Sequence, residues 1–314
     1  MAAAALLAAL SRVESVAALY AIWIGLGAVM AATLYEPAFA VVTQAFAAGY
    51  RRAITLLTLF GGFASTVFWP LTTALIEAFG WRDALLVLAA INLCVCAPLH
   101  AWLLPAGGQD AHPSGAATTS RTLAEVLREP SFYLLALAFL TNALLIAAIG
   151  VHLIALLRAD GLSPAAAAGV GAIVGPMQVL GRIAEFAVGA RVSAVNVGRV
   201  AVLLPPLALV ALLVADGSGA WLLAFACLYG AGNGALTIVR GTVPVELYGR
   251  DHYGAVTGAL ATPGLIARAA GPIAAAALAA LPGGYDAAVA MLIVLTAVGA
   301  LAYFAAVRVR RVSA

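Results

Sequence analysis

Lysine is absent from this 314-residue chain: all sixteen basic side chains are arginine. Charge of either sign is scarce, with Asp, Glu, Lys and Arg at 9% of residues against 65% hydrophobic. A soluble domain keeps about a quarter of its residues charged, so the composition excludes a soluble globule and defines an integral membrane protein. The net charge of +3 is too small to imply a nucleic-acid partner. Cysteine is nearly missing. Cys94 and Cys96 are two apart on a helix and point in different directions, and they and Cys227 lie in apolar runs. They read as small buried hydrophobes, not as a disulfide or a metal site. Catalytic signatures are lacking too. There is no HExxH, no GxSxG and no Cys/His/Asp cluster at ligand spacing, so nothing points to an enzyme, a metal or a cofactor.

Long apolar runs are what the chain has. A spanning helix needs about 20 mostly apolar residues. Nine segments qualify, roughly 16–47, 53–78, 84–104, 131–157, 164–189, 198–215, 219–246, 254–281 and 285–307. The breaks carry turn punctuation: GYRR, GWRD, RADGLSP, RVSAVNVGR, ADGSG, LYGRDHYG and LPGGYD. One break is long. Residues 105–130 are polar and flexible at first, then offer Thr122 and Glu125 at capping-box spacing before a short surface helix. This linker separates three spans from six.

Arginine placement orients the spans. With the C-terminal RVRRVSA in the cytoplasm, Arg51, Arg52, Arg121, Arg128, Arg191, Arg199, Arg250, Arg308, Arg310 and Arg311 fall inside, and Arg12, Arg82 and Arg158 outside. That is a strong positive-inside bias. Three arginines remain within spans: Arg182, Arg240 and Arg268.

The halves echo each other. Ala53, Thr55, Gly62 and Pro70 recur as Ala255, Thr257, Gly264 and Pro272, an offset of 202, and Gly25 and Gly27 recur as Gly230 and Gly232, an offset of 205. Internal repeats are common in transporters. The offset makes Ala2 to Leu10, about half a span long and without the basic start of a secretory signal, the tail of the partner of 198–215. It predicts that about two and a half helices precede this segment in a twelve-span protein, with Met1 internal or a misassigned start, and that residues 1–314 alone do not transport. The competing expectation for the stub is a short re-entrant or surface segment.

The stretch GLGAVMAATLYEPAF followed by GYRR, the GWRDALLVLAAINL hairpin, the long central loop and GAGNGALTIVRGTVPVELYGR together resemble the major facilitator superfamily of secondary transporters. The resemblance covers essentially the whole chain. It implies an all-α integral membrane fold of two helical bundles. Residues 1–104 would be the remainder of the N-terminal bundle, 105–130 a cytoplasmic central loop, 131–308 the C-terminal six-helix bundle and 309–314 a cytoplasmic tail. Segment 16–47 would be the fourth helix and 219–246 the tenth, while GRIAEFAVGAR (181–191) is similar to a degenerate copy of the family's loop signature. Ala21 stands where many proton-coupled drug exporters carry an arginine. Arg182 and Arg268 match, by helix and depth, basic residues of organic-anion members such as oxalate–formate exchangers and monocarboxylate porters.

A charge near the bilayer centre costs a few kcal/mol even on lenient scales, so it must face a partner or a wet cavity. Arg268 is near the middle of its span and reads as a ligand for an anionic substrate, or else as half of an interhelical ion pair. Arg182 lies about 10 Å from the inner end of its span, with Glu185 three residues on for a local pair. Arg240 is near enough to the inner interface to snorkel. Glu36, just before Pro37, is a candidate for a coupling proton or for neutralising an arginine. Asn142, Gln178, Tyr229 and Asn233 are neutral substrate-binding candidates or packing hydrogen bonds. His152 reads as structural, and Gly230, Gly232 and Gly234 as close-approach positions.

The expected function is a secondary transporter of a small solute, an organic anion, rocking two bundles about a midplane site in a bacterial inner membrane. A ten-helix drug/metabolite exporter would instead show a repeat near half its length. The third class is a non-transporting sensor or fragment.

Overall fold

The structure, a computed structural model, describes residues 1–46, 49–103, 120–215 and 219–312. Most of the loop expected at 105–130 therefore lies outside the described residues. Every regular element among the described residues is helical. In chain order these are α1 (Ala2–Leu10), α2 (Val16–Thr33), α3 (Tyr35–Ala45), α4 (Tyr50–Gly62), α5 (Ala64–Ile91), a π-helical turn Asn92–Cys96, α6 (Ala97–Leu103), α7 (Leu123–Val126), α8 (Pro130–Ala159), α9 (Pro164–Val188), α10 (Ala194–Ala201), α11 (Leu204–Leu213), α12 (Gly219–Tyr248), α13 (Tyr253–Ala279) and α14 (Gly284–Val312).

Eight stretches among the described residues are long and apolar enough to cross a membrane, against nine expected. The difference falls on 53–78. There the helix is interrupted at Phe63, after Gly61 and Gly62, while Pro70–Leu103 forms one apolar stretch. Two glycines in succession remove side-chain support from a helix interior and end it cheaply. The GWRD break appears as a single non-helical residue, Gly80, at φ 78° and ψ 164°, a conformation open to glycine because it has no Cβ. Another break, at Leu34, divides 16–47 into α2 and α3. Pro37 explains its place: it offers no N–H to the Thr33 carbonyl and its ring crowds the preceding turn.

Helix starts follow local chemistry. The Ser15, Ser163 and Ser193 hydroxyls each accept a hydrogen bond from the backbone N–H three residues on. At Thr122 the expected capping box is complete: the Thr122 N–H donates to Glu125 Oε2 at 2.8 Å, and the Glu125 N–H donates back to Thr122 Oγ1 at 3.4 Å.

The chain forms two compact units, residues 1–41 with 60–116, and 42–59 with 117–314. In the first, α1 packs on α2 and α5. Gly25 admits Leu6 there, since a Cβ would sit 3.0 Å from its methyl. The second unit pairs α9 with α12, and α8 with α13 and α14. Lipid tails are as apolar as leucine, so these pairs are held by close packing, not by expulsion of water. Glycine makes the packing possible. A Cβ on Gly234 would lie 2.1 Å from the Gln178 carbonyl oxygen, one on Gly230 2.5 Å from Met177 Cβ, and one on Gly181 2.3 Å from the Ala231 carbonyl oxygen. Gly232 does the same toward Leu204 of α11, at 2.9 Å. The expected close-approach role of the GxGxG run is realised on both sides of α12.

Candidate functional site

Within the second unit, α9 carries the densest buried polar cluster. Arg182 and Glu185, one turn apart, are 5% and 4% exposed. Glu185 is ion-paired to Arg51 of α4. The Arg51 Nε donates to Glu185 Oε1 at 2.8 Å, and Nη2 lies 2.7 Å from the same oxygen. The Thr55 hydroxyl stands 3.0 Å from Oε2. Arg51 Nη1 donates to the carbonyls of Gly189 and Val192 at 3.0 and 2.5 Å, satisfying acceptors that the C-terminal end of α9 leaves open. Arg182 Nη1 donates to the Thr58 carbonyl at 2.9 Å. Guanidinium groups suit this task because they present several donors in a fixed fork.

Sequence reasoning placed Arg51 in a cytoplasmic loop and gave Glu185 a local partner, Arg182. The structure gives Glu185 a partner 134 residues away. A usable signal was present: Arg51, Thr55 and Thr58 recur at i, i+4 and i+7, a polar stripe on one face of an otherwise apolar helix.

Nearby, Arg250 donates to the Thr43 and Phe46 carbonyls and lies over the Tyr50 ring at 5.6 Å. Burial pushes the Tyr50 phenol above its ordinary value; Glu246 adds to this, and Arg51 and Arg250 oppose it.

The remaining candidates are dispersed. Tyr229 and Asn233 are buried one turn apart on α12, with Tyr229 stacked on Phe225 at 5.4 Å between centroids. The Tyr229 hydroxyl approaches the Asn233 carboxamide, but no hydrogen bond of full geometry reaches Asn233 Oδ1 among the described residues. Asn142 lines a small cavity with Thr141, Pro205, Leu236 and Thr296, and its Oδ1 accepts no hydrogen bond among the described residues. Gln178 is half-buried, and its backbone carbonyl is the surface on which Gly234 packs. Arg240 is half-buried on α12. Glu36 is half-buried in the first turn of α3, in the first unit, where a helix N-terminus favours a carboxylate.

Arg268 is exposed, and it makes no hydrogen bond and no ion pair among the described residues. Its place around α13 is informative. It is four residues after buried Gly264 and seven before buried Ala275, so it rides the edge of the stripe that packs on α8. The open apolar face of the helix, with Ile266 69% and Ile273 72% exposed, lies on the opposite side. The guanidinium therefore emerges away from the surface best suited to lipid.

The described residues thus combine a multi-pass helical fold, a buried Arg51–Glu185 pair and an arginine midway along α13. A crystal structure of FucP, a major facilitator superfamily transporter, in the outward conformation is similar at TM-score 0.74 and 15% identity, over 97% of this chain and 80% of that one. A crystal structure of a variant of the E. coli fucose:proton symporter FucP matches at TM-score 0.71 and 14% identity, with the same coverage. The fold is thus that of major facilitator superfamily transporters. No family model and no curated protein matches the chain by sequence.

Proposed function

We propose that this protein is a secondary active transporter of a small organic anion, working by alternating access, with Arg268 as the cation that reads the solute. The observation that carries the anion class is the position of Arg268. A guanidinium in the middle of a span is too costly to leave in hydrocarbon, and this one stands exposed off the apolar face of α13. A bidentate donor suits a carboxylate better than it suits a neutral sugar.

Alternating access needs a contact that is made in one state and released in another. The Arg51–Glu185 lock supports that role. Segment 42–59 is flanked in sequence by first-unit chain on both sides, yet it is grouped with the second unit, and Arg51 ties it to α9. Glu36 is the candidate for a coupling proton.

The test is counterflow by the protein as purified from its native membrane, in proteoliposomes preloaded with formate, oxalate, acetate or lactate, with L-fucose as the neutral arm. Exchange of at least one carboxylate and none of fucose is expected. Exchange of fucose alone would overturn the anion assignment.

A further inference from the structure

His152 stands apart from every group used above. It lies on α8, half-buried, and its ring reaches across to α13, where Nε2 is 3.0 Å from the Pro272 carbonyl oxygen. On its other side Nδ1 is 3.4 Å from the hydroxyl of Tyr285, near the start of α14, with ring centroids 5.9 Å apart. One side chain thus joins three helices. The tautomer follows from the partners: a carbonyl only accepts, so Nε2 carries the hydrogen, and a hydroxyl can serve Nδ1 as donor.

The place it grips is the weak point of α13. Pro272 has no N–H, so the helix offers no backbone donor to the carbonyl of Arg268, one turn earlier. Immediately before Pro272, Gly271 lets the helices nearly touch: a Cβ there would lie 2.8 Å from the Leu144 carbonyl oxygen and 3.3 Å from Ala147 Cβ of α8. Close packing fixes the separation of α8 and α13 but tolerates sliding along the seam. A directed hydrogen bond from His152 does not.

We propose that His152 is a positioning residue, pinning α13 at Pro272 to α8 and to the start of α14, and so fixing the orientation of the turn that carries Arg268. Its bearing on transport rests on the reading of Arg268 as the solute-binding cation; its bearing on α13 does not.

The experiment is hydrogen exchange by mass spectrometry on the purified full chain in detergent, with His152→Phe, His152→Gln and Tyr285→Phe beside the parent. Glutamine places its Nε2 donor near the position of the histidine Nε2, whereas phenylalanine keeps the bulk and removes the donor. Exchange of the α13 amides around 269–276 should rise about fivefold in His152→Phe, the fold-change for the net worth of one ordinary hydrogen bond, and return to the parent rate in His152→Gln. Peptides from the α9–α12 contact should not change in either. Unaltered α13 exchange in His152→Phe, or exchange in His152→Gln as fast as in His152→Phe, would overturn the proposal. Should His152→Phe fail to fold, His152→Asn against His152→Gln repeats the comparison, the shorter amide being expected to exchange faster.

Oxalate counterflow supplies the second arm. His152→Phe should lower turnover and His152→Gln restore it. If Arg268→Gln exchanges oxalate like the parent, the reading of Arg268 as the solute-binding cation falls, while the hydrogen-exchange result still decides the pin.

Discussion

Replacing Arg51 by methionine should destabilise the second unit by about 3 kcal/mol, the lower end of the range for breaking a buried ion pair from one side. At 2.7 Å and an effective dielectric of about 20, the two charges attract by roughly 6 kcal/mol before desolvation is counted. The low end is chosen because the partners differ in exposure: the Glu185 side chain is 1% exposed and that of Arg51 is 17%. Methionine keeps much of the stem volume but strands the carboxylate with one hydroxyl, that of Thr55. Glu185→Leu, which leaves the more accessible Arg51 behind with its bonds to Gly189 and Val192, should cost less. The double variant Arg51→Met/Glu185→Leu should cost less than the sum of the singles, with a coupling of at least about 1.5 kcal/mol. The assay is unfolding in mixed detergent–SDS micelles, following tryptophan fluorescence across all four proteins. Additivity to within about 0.5 kcal/mol would show that the pair does not act as a unit, and the lock would have to be abandoned.

Further expectations are narrower. Gly234→Ala should destabilise by about 1–3 kcal/mol, because its Cβ would meet the Gln178 carbonyl oxygen at 2.1 Å. Gly258→Ala, with nothing within 4 Å of the new Cβ, should be neutral or stabilise by up to about 1 kcal/mol through helix propensity; the same micelle titration compares the two. Glu125 is held below the ordinary carboxylate range by the backbone N–H and hydroxyl of Thr122. Its cap is therefore at full strength above the unfolded carboxylate range and is lost as pH falls through the lower, folded value. Protection of the Thr122 amide, referenced to an unfolded peptide, should fade on acidification and be insensitive to pH in Glu125→Gln.

Much of this molecule is legible from composition alone, and the reason is physical. Hydrocarbon forces backbone polar groups into helices, so scarce charge and long apolar runs dictate the fold class before any residue is weighed. Gly230, Gly232 and Gly234 were legible for a similar reason, since little but glycine lets two helix backbones approach so closely. Arg51 was not. Beside Arg52 and a Gly-Tyr break it satisfies the rule for a cytoplasmic loop, and only tertiary packing turns one of two adjacent arginines inward. Glu185 misled in the opposite way, because Arg182 offers a partner at i−3 that the sequence displays and Arg51 is far away along the chain. His152 and Pro272 are 120 residues apart, and a hydrogen bond to a backbone carbonyl leaves no mark in the side-chain pattern at all. The division at Phe63 reflects two glycines whose effect on a helix depends on what packs beside them.

The claim on which the functional account turns is that the charge of Arg268 recognises the solute. The direct measurement is counterflow of the best-exchanged carboxylate in proteoliposomes with the parent, Arg268→Lys and Arg268→Gln, each shown to be inserted and folded. Arg268→Gln should abolish exchange, and Arg268→Lys should keep the charge but raise KM, the bidentate fork being lost. Exchange by Arg268→Gln at the parent rate and KM would contradict it, and Arg268 would then have no part in reading the solute.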